Sequence, residues 1–89
     1  MVINIKSTEE AYKEQQDDIT ITAHENGIVE VHDEANIWIW FVVDHIIGAN
    51  PNLIPMSIAM ETDIDDGSKR VIILFVEKSV FGHQSTNLD

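Results

Sequence analysis

Cysteine is missing from this sequence altogether, which removes disulfides, thiolate metal sites and a cysteine nucleophile and leaves packing to hold the fold. Long apolar runs are missing too. The longest, Ile37 to Val43, covers seven residues, against the roughly 20 that a membrane-crossing helix requires. The opening Met-Val-Ile-Asn-Ile-Lys interrupts its apolar residues before a secretory core can form, so a cytoplasmic location is expected, in the cell or in an infected host cell. Positive charge is scarce: five Lys and Arg stand against 16 Asp and Glu, for a net charge of −11. Phosphate contacts need clustered cations, so direct binding to nucleic acid or to an anionic membrane is not expected. A negative field of this kind favours a basic protein surface as partner.

The hydrophobic fraction, 44%, is that of an ordinary globular chain, and 89 residues suffice for one small domain and not two. We expect a single acidic domain over residues 1–79 and a polar tail over 80–89. The charge is unevenly placed. Residues 1–66 carry 14 of the acids and only Lys6 and Lys13 as cations, whereas the remainder carries Lys69, Arg70 and Lys78 against Glu77 and Asp89.

Val2 to Lys6 alternates as a short strand does, and Ser7-Thr8-Glu9-Glu10 resembles a capping box that starts a surface helix over about Thr8 to Gln16. Ile19 to His32 forms two alternating segments around Glu25-Asn26-Gly27. A two-residue turn would put the apolar residues of the two strands on opposite faces. A three-residue loop with Gly27 left-handed pairs Ile21 with Val31 and Ala23 with Val29 instead, gathering them on one face, and is preferred.

Ile37 to Val43 has the β-branched and aromatic content of a buried strand. Its flanks favour a helix: Asp33 as cap, Glu34 in the first turn, Gly48 to end it and Asn50-Pro51 to prevent its continuation. Ala35, Ile39, Val42, Val43 and Ile46 then form one core-facing stripe. Met56 to Ile64 and Lys69 to Lys78 flank Asp65-Asp66-Gly67-Ser68 as a second hairpin, of undetermined register. Val71 to Val76 is apolar on both faces, which suits the middle of a sheet. The expected fold is α+β, with about five mostly antiparallel strands and two helices in the order β-α-β-β-α-β-β.

No catalytic or metal motif is present, so neither an enzyme nor a cofactor is expected. His24 and His32 fall about 13 Å apart along the first hairpin, too far to share an ion. Asp63-Ile64-Asp65-Asp66-Gly67-Ser68 resembles a calcium loop only superficially, because the glycine falls at the fifth position and Leu74 at the twelfth. Asp65 and Asp66 lie at a wet hairpin tip, where nothing divides them into acid and base.

Two signals remain. Trp38 and Trp40 project about 200° apart on a helix, so one is exposed; Trp40, sharing a side with Asn36 and Asp44, is the candidate interface anchor. Both rings inside the core or in a homodimer seam is the plain alternative. Glu61, Asp63 and Asp65, alternating on a strand, would project from one face about 7 Å apart, a spacing like that of backbone phosphates. Asp66, Asp17, Asp18, Glu25 and Glu30 would extend that surface if the two hairpin tips meet; otherwise the acids simply form a solvated face. In size and charge the chain resembles viral anti-defence proteins and the immunity proteins of bacterial toxins. The expected function is therefore an inhibitor that occupies a nucleic-acid-binding surface. The alternative is a homo-oligomeric structural or accessory subunit whose charge serves solubility.

Overall fold

A computed structural model describes residues 2–15, 19–33 and 37–79. Helix α1 (Lys6–Gln15) leads into strands β1 (Ile19–Ala23) and β2 (Ile28–Asp33), joined by a 3-10 turn at Glu25–Gly27; helix α2 (Ile39–Ala49) then leads into β3 (Leu53–Thr62) and β4 (Lys69–Glu77). The four strands form one antiparallel sheet in the order β1-β2-β4-β3. The α+β class and the two helices are as expected, and the strand count is four among the described residues. The expected tail at 80–89 lies outside them.

The fifth strand is the difference. Val2 to Ile5 has Ile3 buried and Ile5 partly buried against the core, yet it joins no strand among the described residues. Its backbone is claimed by a side chain. Asn50 Oδ1 accepts the Asn4 N–H at 2.9 Å, and Asn50 Nδ2 donates to the Asn4 carbonyl at 2.8 Å and to the Ile46 carbonyl at 2.8 Å. One amide therefore satisfies both polar groups that a ladder would have used. Helix α1 then begins at Lys6, whose N–H is accepted by Asn4 Oδ1 at 3.2 Å. The expected box is displaced: Ser7 lies inside the helix and does not cap it.

Helix α1 was expected on the surface, but it buries Thr8 and Tyr12, four residues apart on one face. Tyr12 is fully enclosed. Its ring meets Trp38 at 6.1 Å and Phe41 edge-on at 5.7 Å, and its hydroxyl accepts the Trp38 N–H at 3.0 Å. A tyrosine seats here because the buried body is apolar while its polar end finds a partner.

Helix α2 confirms the helical choice for the apolar run, with Val42, Val43 and Ile46 buried and Ile39 half-buried beside them. Its ends are not where the caps suggested. Asp33 closes β2, in register with Ile19 and Lys69, and Trp38 holds the cap position without a side-chain cap bond. Glu34 and Ala35 lie outside the described residues. The helix runs through Gly48 and stops at Asn50, whose N–H donates to the Ile46 and Ile47 carbonyls; Pro51 disfavours a helical conformation for the residue before it.

The first hairpin has the three-residue loop, with Ile21 opposite Val31, Ala23 opposite Val29, and both Asn26 and Gly27 left-handed (φ 66° and 82°). Strand β4 is central, as its two apolar faces require. Ile19, Ile21, Val29, Val31, Val71, Ile73 and Phe75 join Tyr12, Val42, Val43 and Ile46 in one core, so both helices cover the same face. Full burial of each such side chain stabilises by about 1.5–3 kcal/mol. The other face carries Ile28, Ile54, Ile72, Leu74 and Val76, which are half-buried by their neighbours in the sheet; no described element lies over it.

Replacing Asn50 by Ala removes three hydrogen bonds at once, two of them to the Asn4 backbone. The expected result is a loss of about 1–3 kcal/mol in urea unfolding, with amide-exchange protection lost at Asn4 and retained in β2 and β4. Unchanged protection at Asn4 would show that Ile3 alone holds the segment.

Candidate protein-binding surface

The loop between β3 and β4 is longer than a tight turn. Thr62 pairs with Lys69, the Asp63 N–H donates to the Ser68 carbonyl and the Gly67 N–H to the Asp63 carbonyl, each at 2.8 Å. Gly67 has a φ of 76°, a conformation that glycine adopts without steric cost. Two aspartates stitch this loop. Asp63 Oδ1 accepts the Asp65 N–H and Asp66 Oδ1 accepts the Ser68 N–H, both at 2.8 Å, the local bonding that suits aspartate to turns.

Strand β3 ends at Thr62, so Glu61, Asp63 and Asp65 do not form the expected row along a strand. Glu61 belongs to the uncovered face of the sheet, opposite Arg70, while Asp63 and Asp65 belong to the loop. Glu30 reaches the same place from β2. Arg70 stands between the two glutamates, its Nε 3.4 Å from Glu30 Oε2 and its Nη1 3.9 Å from Glu61 Oε2. His24 Nε2 lies 3.4 Å from the other Glu30 oxygen. The result is a row across the sheet in which Arg70 stands between two glutamates and His24 lies at the end. These groups are between a third and two-thirds exposed, and surface pairs of this kind contribute only about 0–1 kcal/mol each.

Below this row, His32, Glu61, Thr62, Asp63, Asp66, Ser68 and Arg70 line a shallow depression of about 330 Å³. The Asp66 carboxyl is held below its ordinary pKa, chiefly by hydrogen bonds from the Ser68 hydroxyl and N–H, with a smaller contribution from His32. Arg70 and His32 were not among the binding residues expected from sequence. The signal that links them to Glu30 is the pairing of β2 with β4, in which His32 faces Arg70, and no local pattern encodes it.

The hairpin tips do not meet. Ile28, just after the first turn, pairs with Leu74, while Asp33 pairs with Lys69, beside the second loop; the tips therefore lie at opposite ends of the sheet, on the order of 20 Å apart. Glu25 is separated from the other acids by this length. Asp17 and Asp18 lie outside the described residues. Trp40 is 67% exposed and Trp38 42%, but α2 covers the face opposite to Glu30, Arg70 and Glu61, so Trp40 is not beside them.

No family model, curated protein or solved structure matches this chain. Among the described residues, no group of three or more His, Asp and Glu side chains is placed to hold a metal ion, and no helix is long and apolar enough to cross a membrane.

A depressed carboxyl pKa in the folded state contributes stability at pH values above the ordinary aspartate range, and that contribution is lost as pH falls through the depressed value. An NMR titration of the Asp66 side chain should give a midpoint below that of a free aspartate. Ser68→Ala, which removes the hydroxyl and keeps the backbone N–H, should move it upward and weaken the acid dependence of folding; an unmoved midpoint would remove the Ser68 hydroxyl as a cause.

Proposed function

We propose that this protein is a small acidic binding protein, without catalytic role, whose β3–β4 loop end occupies the basic surface of a nucleic-acid-binding protein in competition with nucleic acid. The observation that supports this reading is that Glu30 and Glu61 flank Arg70, and that Asp63, Asp65 and Asp66 follow Glu61 in the adjoining loop. With Lys69 also there, the acids still outnumber the cations. Asp63, Asp65 and Asp66 are exposed, where their carboxylates can meet lysine and arginine. Long-range attraction speeds encounter with a basic surface, and close pairs then slow release. The target would be met in the cytoplasm, of the cell or of an infected host.

The target's cations are ordinarily occupied by phosphates, so capture competes with DNA or RNA and weakens with salt. A self-associating accessory subunit is the second reading. It is favoured by the apolar residues on the uncovered face of the sheet, and it requires association that survives high salt, with no capture of basic proteins.

The immobilised protein should retain basic nucleic-acid-binding proteins from a lysate and release them to added DNA, RNA or salt. Converting Glu61, Asp63 and Asp65 together to Lys should reduce capture at least tenfold while the circular dichroism spectrum is kept. Capture by the folded triple variant equal to that by the parent would eliminate this end of the sheet as the binding surface.

A further inference from the structure

The two edges of the sheet are unequal. Strand β1, at one edge, has five residues; β3, at the other, has ten. Strand β3 pairs with β4 on one side, and no described element pairs with its other side, leaving a row of backbone donors and acceptors that can template another strand. The usual protections are confined to its ends. Pro55 and the bulge at Met56 blunt the beginning, and Glu61 is the first charge after Leu53.

Between those points the strand is apolar and open. Met56 is 52% exposed, Ile58 36% and Met60 54%. Ile58 and Met60 are opposite Ile73 and Val71, so they share the helix-bearing face of the sheet, yet the helices do not enclose them as they enclose Ile73 and Val71.

We propose that a second copy of this chain pairs antiparallel with β3 across a two-fold axis at Ala59, joining two sheets of four strands into one. Charge and chemistry select this partner and this register. With Ala59 on the axis, Ile58 of each copy is opposite Met60 of the other, so four apolar side chains form one cluster on the helix side. Ser57 is then opposite Glu61, and no acid faces an acid. Pro55, which cannot donate, falls opposite Asp63 and outside the paired segment. A parallel pairing would instead set Glu61 and the loop aspartates of both copies side by side, which a chain of net charge −11 opposes. The two-fold arrangement carries the acidic ends to opposite extremities of the joined sheet. It leaves the loop aspartates outside the paired segment, with Glu61 at the end of the seam, so the seam goes beyond the binding reading above and does not depend on it.

The absence of cysteine makes the seam directly testable. Residues on a two-fold axis of an antiparallel pair have Cα atoms about 4.5–5.5 Å apart, within the range a disulfide spans. Ala59→Cys should therefore link to itself under mild oxidation at least tenfold faster than Thr22→Cys on the β1 edge. Sedimentation equilibrium of the parent chain should rise toward twice the chain mass at concentrations up to roughly 1 mM, the range that a small interface requires. Met60→Lys should remain at the chain mass, with its circular dichroism spectrum retained. A parent chain that stays monomeric throughout, an Ala59→Cys variant that links no faster than Thr22→Cys, or a folded Met60→Lys variant that associates as well as the parent would each overturn the proposal. If Met60→Lys does not fold, the comparison of the two cysteine variants decides.

Discussion

Strand β4 imposes the constraint on which the rest of the molecule depends. Val71, Ile73 and Phe75 point to one side and Ile72, Leu74 and Val76 to the other, so the strand must be flanked on both edges and covered on both faces to remove all six from water. Strands β2 and β3 supply the edges. Helices α1 and α2, together with Ile3 and Ile5, cover one face. The described chain has no third layer, and the side chains of the remaining face are sheltered only by their neighbours.

This asymmetry separates two kinds of surface. The helix-bearing side holds the core, where the Tyr12, Trp38 and Phe41 rings meet and Asn50 fastens the N-terminal segment, although Ile58 and Met60 at the β3 edge stay open. The opposite face grades from an apolar end, around Leu74 and Val76, to a charged end, around Glu30, Arg70 and Glu61. Charge and exposed apolar surface therefore do not coincide. The acids concentrate at the loop end, and the open apolar residues of β3 precede them along the same strand. Electrostatic attraction acts over about 8–10 Å at moderate salt, whereas apolar contact requires direct apposition, so the two parts of β3 suit different partners.

The shared position of Arg70 limits what the acids can do. Glu30 and Glu61 are each within ion-pair distance of it, so they form a row of alternating sign more than a strip of one sign. Asp63, Asp65 and Asp66 sit beyond that row in a loop whose shape their own side chains maintain. The negative surplus that remains lies at the loop. Glu25, at the far end of the sheet, and Trp40, on the helix layer, take no part in it.

Local chemistry in the sequence was enough to determine the hairpin of β1 and β2 and the central place of β4; for the run that becomes Ile39 to Ala49 it favoured a helix without placing its start. A glycine that must turn left-handed and a strand apolar on both faces each admit one economical solution, whereas a β-branched and aromatic run suits a buried strand as well as a helix. Tertiary structure decided what depended on distant partners. Val2 to Ile5 has the alternation of a strand, but a single asparagine 46 residues away satisfies Asn4 and removes the need for a ladder. Thin apolar content marked α1 as a surface helix, yet one enclosed tyrosine anchors it, because the Trp38 N–H meets the hydroxyl inside the core. Above all, the grouping of the acids was settled by sheet register: the pairing of β2 with β4 brings Glu30 to Glu61 through Arg70 and sends Glu25 to the opposite end. Spacing along a chain fixes which side chains share a face; only strand pairing fixes which faces and which ends come together.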